Sequence, residues 1–450
     1  MIPVIALVGR PNVGKSTLFN RLTRSRDALV VDRPGVTRDR LYGRGILNHQ
    51  HFLVVDTGGI QSGEGPLQEH VSHQVEQVLS ECSAVILLAD RKEGPTGGDR
   101  EIIDQLRKLK QPLVLAVNKC EGVDPELAAS EFYALGVDKM HPISAKHGHG
   151  VSAMVQGLLE ELGVETEEPE EESHDIPKIA VIGKPNVGKS TLINVLAGEE
   201  RVVVFDLPGT TRDSVRVPVT RDDQDYLLID TAGVRRRTKV DDFLEKFSIV
   251  KSLQAIEEAN VVILVFDARA GISDQDATLA GIVEESGRAI VVAINKWDNL
   301  EPYQRQEVRR ELDRKVPFLT PYESFFISAL HGSGVGDLLP AISRAYDSAM
   351  TEFSTGTLNR HFRKAVEAQA PPLHRGRSIK LKFVHQGGKN PPMVVVHGNQ
   401  IDKLPATYKR YLANYIRKAY KLTGTRVRME FRQSENPFNK KSNKNKRKNH

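Results

Sequence analysis

A chain of 450 residues with 39% hydrophobic and 27% charged residues has the composition of an ordinary soluble protein and is long enough for two to four domains. Its two cysteines exclude a disulfide framework and a cysteine-rich zinc site, and no run of 18 apolar residues suggests a membrane span. Since the N-terminus reads directly into a strand with no signal-peptide pattern, we expect a cytoplasmic protein with no membrane partner.

The net charge of +5 conceals a strong asymmetry along the chain. From residue 351 onward there are 23 Lys and Arg against 5 Asp and Glu, a net charge of +18. The preceding part holds 40 basic and 53 acidic residues, a net charge of −13. The sequence therefore predicts that a polyanion binds the C-terminal part.

Residues 1–163 alternate apolar runs with helical patterns. This alternation predicts a doubly wound α/β domain with a mostly parallel sheet. Seven of the eleven residues from 165 to 175 are acidic, so we interpret residues 164–176 as a solvated linker. The predicted strands of this first domain are residues 2–8, 52–55, 84–89, 113–117 and 139–143.

Residues 177–350 repeat the first pattern. The offset between matching residues is 174 from Gly9/Gly183 to Asp56/Asp230 and 177 at Asn118/Asn295, which indicates duplication of a whole domain. The predicted strands of the second copy are residues 179–182, 226–229, 261–266, 289–294 and 324–327.

A third module is predicted at residues 351–435. A helix at 358–370 ends before two prolines, strands follow at 379–384 and 393–396, and a basic amphipathic helix at 406–420 precedes a strand at 427–431. This order is typical of a small α+β domain. Residues 436–450 contain six basic residues and no acid, which predicts a disordered tail.

The sequence GxPNVGKS follows the first predicted strand of each α/β domain and precedes a helix. Glycines in such a loop let successive backbone N–H groups point at phosphate, the lysine adds charge to the β/γ-phosphates, and the serine hydroxyl ligates Mg²⁺. Two full copies in matching context predict two phosphate-binding loops. Their residues are Gly9, Arg10, Pro11, Asn12, Val13, Gly14, Lys15 and Ser16, and Gly183, Lys184, Pro185, Asn186, Val187, Gly188, Lys189 and Ser190.

A second motif, Asp-Thr-x-Gly, closes a predicted strand in each copy. The aspartate of such a motif holds Mg²⁺, usually through water, and the glycine N–H meets the γ-phosphate. With the apolar residue that follows, the motifs are Asp56, Thr57, Gly58, Gly59 and Ile60, and Asp230, Thr231, Ala232, Gly233 and Val234.

Two further motifs select the base. The carboxylate of Asn-Lys-x-Asp/Glu accepts from guanine N1–H and the 2-amino group, whereas adenine offers neither donor and would leave a buried carboxylate unpaired. A Ser-Ala pair after the next strand places a backbone N–H near guanine O6. Glu121 replaces aspartate in the first copy and should loosen affinity while keeping both hydrogen bonds. The residues are Asn118, Lys119, Cys120, Glu121, Ser144 and Ala145, and Asn295, Lys296, Trp297, Asp298, Ser328 and Ala329.

Thr37 and Thr211 lie in Pro-Gly-x-Thr-Arg-Asp segments and are candidate Mg²⁺ ligands when triphosphate is bound; the alternative is a polar turn. Ras-like enzymes place a water-orienting glutamine where Ile60 and Val234 stand, so both sites need another source of transition-state stabilisation. A side-chain carbonyl of Asn12 or Asn186 could hold a monovalent cation against the phosphates, or the asparagine could simply shape the loop.

Two GxPNVGKS domains, an acidic linker and a basic α+β module together resemble the Der (EngA) family of bacterial GTPases with two Era-like domains. The resemblance covers residues 2–435 and implies GTP hydrolysis, stimulation by K⁺, a KH-like C-terminal domain, and action on the large ribosomal subunit and its rRNA during late assembly. We expect a protein that is monomeric when free. A typical KH domain grips the RNA backbone with a GxxG loop. Residues 351–435 contain none, and Gly387-Gly-Lys-Asn is the nearest sequence.

Two other functions fit parts of the sequence. A GTP-dependent partner of a tRNA-modification enzyme would call for a folate-binding or cysteine-based module, and neither is visible. A binding module whose nucleotides only stabilise its structure is the second alternative. Phosphate release in KCl and in NaCl, with and without ribosomal particles, would separate these functions.

Overall fold

The computed structural model describes residues 2–23, 42–48, 50–57, 78–164, 176–198, 215–221, 224–230, 249–373 and 378–433. The chain divides into two compact units. The first contains residues 1–175 and 246–257, and the second contains residues 176–245 and 258–450. Within the described ranges, no helix is long and apolar enough to cross a membrane.

The first unit is built on a six-stranded sheet of order β2-β3-β1-β4-β5-β6, in which only the edge strand β2 is antiparallel to its neighbour. Strand β1 is buried along its whole length because helices cover both faces of a doubly wound sheet. Its strands are β1 (Val4–Val8), β2 (Tyr42–Leu47), β3 (Gln50–Asp56), β4 (Ala84–Asp90), β5 (Leu113–Asn118) and β6 (Met140–Pro142). Its helices are α1 (Lys15–Leu22), α2 (Gly97–Leu106), α3 (Pro125–Ala129) and α4 (Val151–Glu161).

The second unit repeats this sheet in the order β12-β11-β10-β7-β9-β8, again with one antiparallel edge strand, β8. Its strands are β7 (Lys178–Ile182), β8 (Val215–Arg221), β9 (Gln224–Asp230), β10 (Val261–Asp267), β11 (Ala289–Asn295) and β12 (Ser324–Phe326). The helices along this stretch of chain are α5 (Lys189–Ala197), α6 (Ile249–Glu258), α7 (Asp274–Ser286), α8 (Pro302–Lys315) and α9 (Leu338–Ala349). Most of α6 belongs to the first unit.

A three-stranded sheet with two helices completes the second unit. Strand β13 (Lys380–Gly388) runs antiparallel to β14 (Met393–Asn399), and β14 runs parallel to β15 (Arg428–Gln433). Helices α10 (Thr355–Ala368) and α11 (Ala406–Ala419) share a hydrophobic core with one face of this sheet. The module is fixed to the six-stranded sheet of its own unit, since Ile290 N donates to Gly424 O at 2.7 Å.

The predicted fold class is confirmed: two doubly wound, mostly parallel sheets are followed by a small α+β module. Every predicted strand is present within a few residues of its predicted bounds. Helix α10 begins at Thr355, one turn earlier than predicted, and ends at Ala368. The prediction missed the two antiparallel edge strands, β2 and β8. The predicted linker, apart from its end residues 164 and 176, and the predicted tail lie outside the described residues.

Candidate guanine-nucleotide sites

The two phosphate-loop motifs connect a central strand to the helix that follows it, β1 to α1 and β7 to α5. The carboxyl ends of parallel strands, at the point where strand order reverses, are where such folds bind ligands. Gly14 and Gly188 take left-handed conformations, with φ of 103° and 98°. A side chain at either would collide with the amide of Asn118 or Asn295. Only glycine therefore allows the loop to pass so close to the guanine motif.

The loop lysines point back into their own loops. Lys15 Nζ donates to Gly9 O at 2.6 Å and to Arg10 O at 2.8 Å, and Lys189 Nζ donates to Lys184 O at 2.7 Å. Burial lowers the pKa of the Lys15 ammonium, and the nearby Asp56 carboxylate partly offsets this. Each lysine thus places a positive charge within its own loop, where it can attract phosphate.

Ser16 and Asp56 stand together at the end of the loop. Ser16 Oγ lies 3.4 Å from Asp56 Oδ2, and Asp56 is buried at the end of β3. A hydroxyl and a carboxylate oxygen at this spacing are the hard ligands that Mg²⁺ takes from a protein while phosphates and water supply the rest. The residues present therefore fit a magnesium ion. In the second copy, Asp230 is the last residue of β9.

One buried asparagine in each copy joins three motifs. Asn118 Nδ2 donates to Val13 O in the phosphate loop at 2.9 Å, and Asn118 Oδ1 accepts from Ala145 N at 2.9 Å. Asn295 makes the same pair of bonds in the second copy, to Val187 O at 2.7 Å and from Ala329 N at 2.8 Å. The phosphate loop and the base-recognition loops are therefore held in one rigid arrangement.

The lysine after each asparagine makes a second connection to the phosphate loop. Lys119 Nζ donates to Asn12 O at 3.1 Å and to buried Asp90, and both Lys119 and Asn12 have positive φ, 67° and 65°. In the second copy, Lys296 Nζ donates to Asn186 O at 2.6 Å.

 Lys296 repeats the role of Lys119, and it also donates to Asp267 Oδ2 at 2.6 Å.

The carboxylates that are predicted to read guanine are both held ionised. A hydrogen bond from its own backbone N–H, and one from Ser144 Oγ at 2.9 Å, lower the pKa of Glu121. The Ser328 hydroxyl, the backbone N–H of Asp298 itself and the charge of Arg269 lower the pKa of Asp298. Arg269 Nη2 lies 2.9 Å from Asp298 Oδ2. An ionised carboxylate accepts hydrogen bonds only, which suits the two donors on the guanine edge.

Ion pairs that the sequence analysis did not predict fix the second residue of each phosphate loop. Arg10 Nε donates to Asp99 Oδ1 at 2.9 Å, and Asp99 is fully buried in the capping box of α2. Lys184 Nζ lies 2.6 Å from Asp276 Oδ2, in the capping box of α7. The Thr-x-x-Asp and Ser-x-x-Asp patterns of these helix starts went unnoticed in the sequence, and no local pattern connects them to the loops.

Two further groups adjoin the base-recognition loops and differ between the copies. Arg21 Nε donates to Ala145 O at 2.5 Å, and Arg21 also donates to Lys146 O. The corresponding residue of the second copy is Val195. Beside the second site, the Trp297 ring packs on Phe326 with centroids 4.2 Å apart. The first loop is therefore braced by a cation and the second by an aromatic pair.

Several predicted site residues lie outside the described residues. These are Thr37, Gly58, Gly59, Ile60, Thr211, Thr231, Ala232, Gly233 and Val234.

Family comparisons agree with this geometry. The family described as "50S ribosome-binding GTPase" matches residues 4–119 and 178–296, and the family described as "KH-domain-like of EngA bacterial GTPase enzymes, C-terminal" matches residues 352–432. Two solved structures are similar at low identity. Era in complex with MgGDPNP and nucleotides 1506–1542 of 16S ribosomal RNA is 23% identical, with a TM-score of 0.31, over 58% of this chain and 93% of that chain. The G domain of the T. maritima FeoB iron transporter is 22% identical, with a TM-score of 0.28, over 36% of this chain and 98% of that chain.

Relatives of known name match along nearly the whole chain. GTPase Der of Vibrio cholerae is 50% identical over 474 residues, which cover 99% of this chain and 96% of the relative. GTPase Der of Thioalkalivibrio sulfidiphilus is 53% identical over 445 residues, covering 98% and 96%. The chain therefore belongs to the GTPase Der family and is a GTP-hydrolysing enzyme with two GTPase domains.

Proposed function

We propose that this GTPase is a two-site switch that acts in late assembly of the large (50S) ribosomal subunit. Its GTPase domains would occupy residues 1–163 and 177–350, joined by the acidic linker 164–176, and residues 351–435 with the tail 436–450 would bind rRNA. The observation that carries the proposal is a folded module within a C-terminal stretch of net charge +18, attached to two guanine-nucleotide sites. The description of the matching family as ribosome-binding supports the choice of particle.

Both sites would hydrolyse GTP by positioning and charge stabilisation, without a covalent intermediate. Lys15 and Lys189 would bind the β/γ-phosphates. Ser16 and Asp56, with their counterparts Ser190 and Asp230, would hold Mg²⁺, which neutralises charge on the phosphates. Thr37 and Thr211 would complete the metal shell in the triphosphate state and so order the switch segments.

A potassium ion is proposed beside each phosphate loop. Asn12 and Asn186 are exposed, and their backbone carbonyls accept from Lys119 and Lys296, so each side chain starts from a fixed backbone. An amide oxygen there would hold K⁺ against the bridge between the β- and γ-phosphates. The ion would supply the charge that an arginine finger supplies elsewhere.

The basic helix α11 is proposed to contact rRNA phosphates. Of its predicted cations, Arg417 donates to Pro321 O at 3.3 Å, and Lys409 Nζ lies 4.9 Å from the centre of the Phe431 ring. Arg410 and Lys418 on α11, and Lys421 just after it, are exposed. These three are the cations we expect to meet phosphate, and the salt dependence should follow the number neutralised.

Cosedimentation with separated ribosomal subunits tests this function. We expect binding to large subunits that is tighter with a non-hydrolysable GTP analogue than with GDP, and that weakens steeply with salt. Lys418→Glu should weaken it, whereas Lys108→Glu, at an exposed lysine of the acidic first unit, should not. Equal binding with both nucleotides at every salt concentration, or preference for small subunits, would contradict the proposal.

A further inference from the structure

Three aromatic rings form a row on the sheet of the C-terminal module. The rings of Phe383 and His397 are nearly parallel, with centroids 4.4 Å apart and 6° between their planes. The His385 ring lies 5.1 Å from that of His397. Phe383 and His397 are direct cross-strand partners on β13 and β14, which fixes the register of the row.

This row lies on the sheet face that the helices do not cover. Val384, Val394 and Val396 alternate with the ring-bearing residues and belong to the core shared with α10 and α11. Phe383, in contrast, is 48% exposed. Among the described residues it is the only phenylalanine among the large exposed apolar side chains.

The row does not serve stability well. A half-exposed phenylalanine forgoes much of the free energy that burial would give. Among the residues that the structure describes, none pairs with the buried His397 Nε2, which is unfavourable in a folded chain. Burial, then the charges of His385 and Arg432, lower the pKa of His397, so its ring is neutral near pH 7. A neutral, flat and partly exposed stack is suited to contact with another flat ring.

The charge around the row favours an anionic partner. Lys380 and Lys382 are exposed on β13, and Arg432, the cross-strand neighbour of His397 on β15, is paired with Glu430 at 2.7 Å, so the two lysines leave the surroundings of the row net positive. Aromatic rings flanked by cations are how proteins hold unpaired nucleic acid, with bases on the rings and phosphates on the cations. The module lacks the GxxG loop with which a KH domain usually grips RNA.

We propose that Phe383 and His397 form a stacking platform for an unpaired base of single-stranded RNA, on the open face of the sheet. The base would lie on the exposed side of the Phe383 ring, with the adjacent phosphates near Lys380 and Lys382. This inference rests on the proposed RNA partner, but not on the identity of the ribosomal particle or on the nucleotide state.

The test measures binding of the full chain to a fluorescein-labelled 12-nucleotide single-stranded RNA by fluorescence anisotropy, over a salt series with GDP present. Phe383→Leu keeps an apolar side chain but removes the ring, so we expect affinity to fall by about five- to a hundredfold with the salt slope unchanged. Phe383→Trp should retain binding. Tyr303→Leu, at an exposed aromatic residue of α8, is the matched control and should bind as the wild type does.

Two further measurements make the result specific. A 2-aminopurine in the RNA should lose fluorescence on binding the wild type and recover it with Phe383→Leu, because stacking quenches it. A duplex of the same sequence should bind both proteins equally. Wild-type affinity in Phe383→Leu, or no binding of single-stranded RNA by the wild type, would overturn the platform. If the platform is confirmed but large subunits do not cosediment with the protein, the proposed function is wrong and the stacking platform still stands.

Discussion

Replacing Asn295 with alanine removes the side chain that joins the phosphate loop to both base-recognition loops of the second site. Asn295 is 2% exposed, and its amide makes hydrogen bonds of 2.7 Å to Val187 O and 2.8 Å from Ala329 N. Alanine leaves both backbone groups buried without these partners. At about 1–3 kcal/mol for each unpaired group, the second unit should lose about 2–6 kcal/mol of its free energy of unfolding.

That loss is a large fraction of the total stability of a domain, about 5–15 kcal/mol. With a urea dependence of about 2 kcal/mol per molar, the unfolding midpoint should fall by about 1–3 M. GDP at a hundred times its dissociation constant stabilises a normal site by about 2.7 kcal/mol. This increment should shrink in the variant because the loops that bind the nucleotide are no longer held in register.

Urea unfolding followed by tryptophan emission is the measurement. Trp297 is the only tryptophan of the chain and lies two residues from Asn295, so its emission reports on the second unit. Asn194→Ala, at an exposed asparagine of α5, is the matched control and should change the free energy of unfolding by less than about 0.5 kcal/mol. A midpoint in Asn295→Ala that matches this control, with a full GDP increment, would refute the account of the bridging asparagine.

Three further outcomes are expected. Asp298→Asn should weaken guanine nucleotides and admit xanthine nucleotides at the second site, because the xanthine C2 carbonyl accepts from an amide; equal competition by ATP and GTP in the wild type would contradict this. Asn12→Gly and Asn186→Gly keep the positive φ but remove the amide, so K⁺ stimulation of phosphate release should disappear while GDP binding persists; wild-type rates that are equal in KCl and NaCl would exclude the ion. Arg21→Val introduces the residue that the second site has at this position, Val195, and should lower the affinity of the first site for GDP several-fold. The affinity is measured in the Asp298→Asn background, and an unchanged value would mean that Arg21 does not position the Ala145 loop.

The sequence revealed most strands because a parallel strand that is buried on both faces reads as a continuous apolar run. The edge strands β2 and β8 escaped prediction for local reasons. Gly43 and Gly45 interrupt β2, where a side chain would collide with Thr23 or Phe52. Pro218 interrupts β8, and proline is tolerated in an edge strand because one row of N–H groups there needs no partner.

Motif spacing predicted which residues gather at each site but not how they hold one another. Arg10 and Asp99 are 89 residues apart in sequence, and no local pattern connects them. The aspartates that end β4 and β10, Asp90 and Asp267, follow apolar runs and could have been noticed, since each receives the lysine of the guanine motif. Such partners become visible only when the sheet brings strand ends together.

The two sites agree around the phosphates and differ around the base. Among the described residues, both copies have the loop lysine and the bridging asparagine. Arg21 against Val195 and Glu121 against Asp298 differ beside the guanine motif, whereas Arg10 and Lys184 of the phosphate loops differ in type but make equivalent ion pairs, to Asp99 and Asp276. We therefore expect single-turnover hydrolysis at the two sites to agree within about tenfold, while their GDP dissociation rates differ by more, because chemistry depends on phosphate contacts and residence time on the base. Both rates can be measured separately in variants in which only one site binds GTP. Similar GDP dissociation rates with widely different hydrolysis rates would show that the differences beside the base do not cause the functional difference between the sites.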